Sequence, residues 1–114
     1  MPKEDSVRLL HIQEAAQEAI NFTAGQTVEM LEQDRMRALA LTRCLEIIGE
    51  AAVSVSAEYK SAHPEIPWKV MAAMRNRLIH AYFRVDLKIV LDTVQIDLPP
   101  LIVTLEALLR KASD

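Results

Sequence analysis

Apolar residues recur at steps of three and four along almost the whole chain, the spacing that lines one face of an α-helix. Leu9, Ile12, Ala16, Ala19 and Thr23 form one such stripe and predict a helix over about residues 5 to 23. Leu41, Leu45, Ile48, Ala52, Val55 and Tyr59 form the longest stripe. Ala40, Cys44, Ile47 and Ala51 run beside it, so this helix presents a face wide enough for two neighbours. Leu87, Val90, Leu91 and Val94 fit a further face, and Leu101, Leu105 and Leu108 another. Val85, Leu87 and Ile89 alternate as a strand would, but no partner strand is in sight, so helix is the reading here too. The two glycines in 114 residues argue against a turn-rich β sandwich and against a Gly-rich phosphate loop.

The breaks between stripes have recognisable chemistry. Gly25 is a stop signal, Thr27 can cap a short helical turn over Val28 to Glu32, and Asp34 can cap the long helix. Gly49 lies inside that helix, where glycine costs about 1 kcal/mol relative to alanine, and close approach of a second helix is the expected reason. Residues 61–67 read as a loop, with Pro67 suited to the first position of a new helix from Trp68 to about Phe83. Pro99-Pro100 should break the last stretch, Asp86 to Ala112. The expected fold is all-α: a single domain over residues 1–114, an up-down antiparallel bundle of four main helices with one short extra helix and a kinked C-terminal one.

Several classes of function drop out. Cys44 is the one cysteine, so there is no internal disulfide and no Cys-based zinc site, and its place in an apolar stripe reads as core. No His-Glu-x-x-His and no Glu-x-x-His occurs, so no metal site is expected. No cofactor is expected either. The chain has no apolar run of membrane length, and its start, MPKEDSVRLL, lacks an apolar signal core; a cytoplasmic location is expected. His63, in the loop before Pro64, is expected to be solvated, and His11 has no ligand spacing around it.

The net charge of −3 gives no global reason to bind nucleic acid, but the charge is unevenly spread. Trp68 to Val85 holds Lys69, Arg75, Arg77 and Arg84 and no acid. The other nine basic residues face all sixteen acidic ones, so a −7 scaffold surrounds a +4 segment. Phosphate contact is the sharper meaning of such a segment, and a solvated basic face the commoner one.

On a helical wheel Trp68, Met71, Ile79 and Tyr82 all fall close to Arg75, on both sides of it. Arg75 is therefore in the middle of the apolar face. It must be paired with a carboxylate, for which Glu46 and Glu50 of the long helix are candidates, or open into a cleft as part of an anion site with Asn76 and His80. Asn76 and His80 stack together on one side, more than a quarter-turn round the helix from Arg75, so one ideal helix does not aim Arg75 and His80 at the same phosphate. Pairing of the same helix from two subunits in a symmetric dimer relieves the difficulty.

The string Arg75-Asn76-Arg77-Leu78-Ile79-His80-Ala81-Tyr82 resembles the R-x4-H-x-Y signature of the HepT-like proteins of the HEPN superfamily. Ile48-Gly49-Glu50-Ala51-Ala52 is similar to the Gly-Glu-Ala segment of their long helix, and Ile66-Pro67-Trp68 to their approach to the motif helix. Asp97-Leu98-Pro99-Pro100-Leu101 also matches, so the resemblance covers about residues 5 to 110. It implies an all-helical homodimer with the motif at the subunit interface. It further implies a toxin that cleaves RNA without metal, partnered by a minimal nucleotidyltransferase antitoxin that transfers AMP to the motif tyrosine, here Tyr82.

The residue types suit that chemistry. His80 can act as general acid or base near neutrality, and Arg75 offers a planar cationic fork to phosphate. Asn76 would orient a phosphate oxygen or the imidazole, Glu50 would support the site, and Lys69, Arg77 and Arg84 would hold the RNA backbone. Tyr82 is either the modification site or a packed ring with a bonded hydroxyl. Two other functions compete with the ribonuclease. One is a non-catalytic RNA- or nucleotide-binding partner of a nucleotidyltransferase. The other is a plain helical dimer with a structural Arg75.

Overall fold

The structure is a computed structural model that describes residues 3–79 and 86–113, without the side chains of residues 74, 76–79, 112 and 113. Its helices in chain order are α1 (Lys3–Thr23), α2 (Val28–Glu32), α3 (Arg35–Ser54), α4 (Ala57–Ala62), α5 (Trp68–Ile79), α6 (Leu87–Asp92) and α7 (Leu98–Ser113). A π-helical turn, Thr93–Asp97, joins α6 to α7. No strand occurs among the described residues. The four longer helices, α1, α3, α5 and α7, form an all-α bundle, as the periodicity predicts. Among the described residues, no helix is long and apolar enough to cross a membrane.

The stripes become the core. Leu9, Ile12, Ala16 and Ala19 of α1 are fully buried, as are Leu41 and Ile48 of α3 and Leu105 of α7. The second stripe of α3 is closed at Cys44 and half-buried at Ala40, Ile47 and Ala51. Burial pushes the Cys44 thiol up to about 11, which leaves it protonated near neutral pH.

Local chemistry ends and starts the helices where expected. Gly25 has φ +71°, the left-handed conformation that closes α1. Thr27 accepts from the Met30 N–H at 3.2 Å and Asp34 from the Arg37 N–H at 3.1 Å. The Arg37 guanidinium then donates to Asp34 at 3.1 Å and to the Phe22 carbonyl at 2.8 Å, tying the start of α3 to the end of α1.

Three boundaries differ from expectation. The long helix does not run on to Tyr59. Val55 turns extended (φ −65°, ψ 142°) and Ser56 caps a separate helix, α4. The cause is distant in sequence. The buried carboxylate of Asp5 accepts from the Ser56 N–H at 2.9 Å and from its hydroxyl at 2.6 Å. Second, Ser61 and Ala62 are helical, and Pro67 precedes α5, its carbonyl accepting the first helical bond from the Met71 N–H at 3.0 Å. Third, the interruption near the C-terminus is the π-turn ahead of the prolines. Pro99 and Pro100 sit in the first turn of α7, where a missing N–H costs little. Within the π-turn the Leu98 N–H reaches back five residues to the Thr93 carbonyl.

Burial works against the charged form of Asp5, but its two hydrogen bonds from Ser56 and the nearby Arg8 outweigh it and hold the carboxyl below its ordinary 3.8. A lowered folded-state pKa means that this stabilisation is complete above the unfolded value and is lost as pH falls through the folded one. Asp5→Asn is expected to lose about 2 kcal/mol at pH 7 in urea unfolding. Its stability should also fall less steeply than that of the wild type below about pH 4.

Candidate active site

The basic segment begins on α5, and its lead-in is built by aromatic contacts. The Tyr59 and His63 rings lie 4.3 Å apart, and the Trp68 ring stands edge-on to Tyr59 at 6.2 Å. The Trp68 indole N–H donates to the His63 carbonyl at 2.9 Å, fixing the first turn of α5 to the end of α4. His63 is therefore not the solvated loop histidine expected. It is half-buried, with Nδ1 2.9 Å from a Glu65 carboxylate oxygen. That bond holds the Glu65 carboxyl below its ordinary range. Burial raises the Tyr59 pKa, and its hydroxyl has no hydrogen-bond partner among the described residues.

Beyond this anchor, α5 lies along α3. Arg75 meets α3 at Gly49, the close approach anticipated for a glycine inside a helix. The residue is half-buried, and its Nε is buried without a hydrogen-bond partner among the described residues. The two carboxylates considered as its partners are engaged elsewhere. Glu46 lies 3.3 Å and Glu50 4.0 Å from the Arg43 guanidinium on their own helix. Glu50 is exposed and lines a groove between α1 and α3 with Arg8, His11 and Arg43, so it follows Gly49 in sequence without facing Arg75 as an ion-pair partner. A buried guanidinium nitrogen with no acceptor is costly unless an anion fills the role.

The other predicted site residues divide by position. Lys69 is exposed on the first turn of α5. Asn76 and Arg77 continue the helix, but their side chains lie outside the described residues. His80, Tyr82 and Arg84 also lie outside them. Arg75 and Gly49 are thus the members of the motif regions that the structure brings together. Among the described residues, no group of three His, Cys, Asp or Glu side chains is placed to hold a metal ion.

On its other flank α5 faces α7 across an open groove of about 320 Å³. Met71, Leu98 and Leu101 form its buried floor, and Val70, 54% exposed, and Ile96 stand at its rim. Sequence reasoning did not anticipate this groove, because it arises where the π-turn carries Ile96 outward.

Comparison with known proteins identifies a family. The model of the family described as "Ribonuclease HepT-like" matches residues 12–108. A protein of Thermococcus cleftensis named "Probable ribonuclease HepT" is 44% identical over 90 residues, 79% of this chain and 82% of that protein. Two proteins of Methanocaldococcus jannaschii are also similar. "Putative RNase MJ1216" is 38% identical over 100 residues (87% of this chain, 83% of that protein). "Putative RNase MJ0127" is 34% identical over 111 residues (96% and 92%). No solved structure matches the chain. The match over most of the chain places the protein in the ribonuclease HepT-like family of the HEPN superfamily.

Proposed function

We propose that the chain is a toxin-type ribonuclease that cleaves RNA without metal at a cleft formed by two copies of the motif helix. The observation that carries this reading is Arg75: its Nε is buried without an acceptor among the described residues, on the helix that holds Asn76, and His80 and Tyr82 follow in sequence. A family of ribonucleases supplies the reaction class. In such a reaction the 2′-oxygen attacks phosphorus, the bond to the 5′-oxygen breaks, and a cyclic phosphate is left. One group takes the 2′ proton and another protonates the departing oxygen. Histidine can do either. Two His80 side chains, one from each subunit, would divide the two transfers.

Arg75 carries the charge that accumulates on the phosphoryl oxygens, where a fixed cation is worth most. Asn76 orients an oxygen or the imidazole, and Lys69, Arg77 and Arg84 hold flanking phosphates. The homodimer is supported by the open apolar flank of α5, with Val70 at its rim. The proposed partner in control is a minimal nucleotidyltransferase antitoxin. Transfer of AMP from ATP to the Tyr82 hydroxyl, with release of pyrophosphate, would place bulk and negative charge beside Arg75.

Arg75→Ala is expected to lower RNA cleavage in EDTA about 10²- to 10³-fold. His80→Ala should lower it at least about 10²-fold, and both variants should keep the helical circular dichroism of the wild type. Wild-type cleavage by clean His80→Ala protein would overturn the assignment. Salt-dependent RNA binding with no cleavage by the wild type would select the non-catalytic binding protein instead. After incubation with a cognate nucleotidyltransferase and ATP, intact mass should rise by one or more AMP units. The increase should be absent in Tyr82→Phe.

A further inference from the structure

Gly49 is buried within α3, and its backbone is not in the left-handed region, so conformation alone does not call for glycine there. What requires it is α5. A Cβ at position 49 would lie 2.6 Å from the Arg75 Cβ, 3.1 Å from the Arg75 backbone nitrogen and 3.1 Å from the Met71 carbonyl oxygen. Two of those three atoms are backbone, and the third is the first atom of a side chain. None can swing aside as the tip of a long side chain would. A methyl group could enter only if α5 moved as a body, by about 1 Å to restore ordinary carbon–carbon contact.

The residue seated on the glycine is the arginine whose Nε has no acceptor among the described residues. Its side chain therefore starts from a point pressed against the α3 backbone, and its Nε is buried. The α3 carboxylates Glu46 and Glu50 lie against Arg43 instead, at 3.3 and 4.0 Å.

We infer that Gly49 is a positioning residue for Arg75: by carrying no side chain, it seats α5 on α3 at that one residue and sets where the guanidinium meets a phosphate. The inference rests on the reading of Arg75 as the phosphate clamp. It gives the glycine a role in the reaction although it touches no substrate. A misplacement of about 1 Å in a clamp can cost on the order of 100-fold in rate.

The test is a double-mutant cycle on the full chain, with wild type, Gly49→Ala, Arg75→Ala and the double variant. Cleavage of RNA is measured as kcat and KM. Binding of a non-cleavable 2′-O-methyl RNA oligonucleotide is measured across a salt series. Gly49→Ala is expected to lower kcat about 100-fold. Its salt slope should fall by about 0.7, the share of one phosphate contact on a single strand. In binding of the non-cleavable RNA, where no proton transfer by His80 enters, the double variant should show the affinity and salt slope of Arg75→Ala alone. Slope losses that add would overturn the inference, because a merely structural glycine acts independently of Arg75. Wild-type cleavage by Arg75→Ala would instead overturn the reading of the clamp. If Gly49→Ala fails to fold, Gly49→Ala/Arg75→Gly decides the matter. Removing the struck Cβ should restore the helical signal and the thermal midpoint of Arg75→Gly, and no recovery would count against the inference.

Discussion

The contact between α3 and α5 at Gly49 is the constraint from which the rest of the site follows. α5 finds its main support on α3, because on its other side it faces an open groove toward α7. The position of the basic segment therefore depends on one helix–helix seam, which is tight where Arg75 meets Gly49. Hydrophobic burial elsewhere in the bundle secures α3, through Leu41, Ile48 and their neighbours against α1. In this way the acidic scaffold supplies stability and the basic helix carries the proposed site.

Anchors at both ends of that arrangement keep the seam in register. Arg37 binds the start of α3 to the last turn of α1, and Asp5 binds the start of α1 to the far end of α3. The two helices are thereby fixed antiparallel. At the entry to α5, the Trp68 indole and the tilted contact between the Tyr59 and His63 rings hold the first turn. Rigid elements position reacting groups better than loops do, and a small chain has few other means of holding a cation in place.

Much of this was legible in the residues, because most of the rules involved are local. Periodicity identified the buried faces, Thr27, Asp34 and Gly25 marked helix ends, and Gly49 announced a close contact. The break after Ser54 was not legible. Tyr59 continues the apolar stripe in phase, and the group that stops the helix is a carboxylate 51 residues away. The same limit applies at the site. The wheel put Arg75 in an apolar face, but it could not show that Glu46 and Glu50 would prefer Arg43, a partner on their own helix. The place of His63 between Tyr59 and Glu65 likewise depends on how α4 meets α5, which local sequence does not encode.

The π-turn of Thr93–Asp97 has a consequence for how such chains can change length. Such a turn holds one more residue than an α-helical turn would. Deleting one residue there would restore a continuous α-helical ladder from α6 into α7. Everything after it would keep nearly its present rotational phase, because the π-turn fits the surplus residue into one widened turn. Leu101 and Leu105 would therefore still face the core, but Pro99 and Pro100 would lie inside one unbroken α-helix, whose ladder they interrupt. The surplus residue thus lets the chain pass into two prolines without turning the buried face of α7 away from the core.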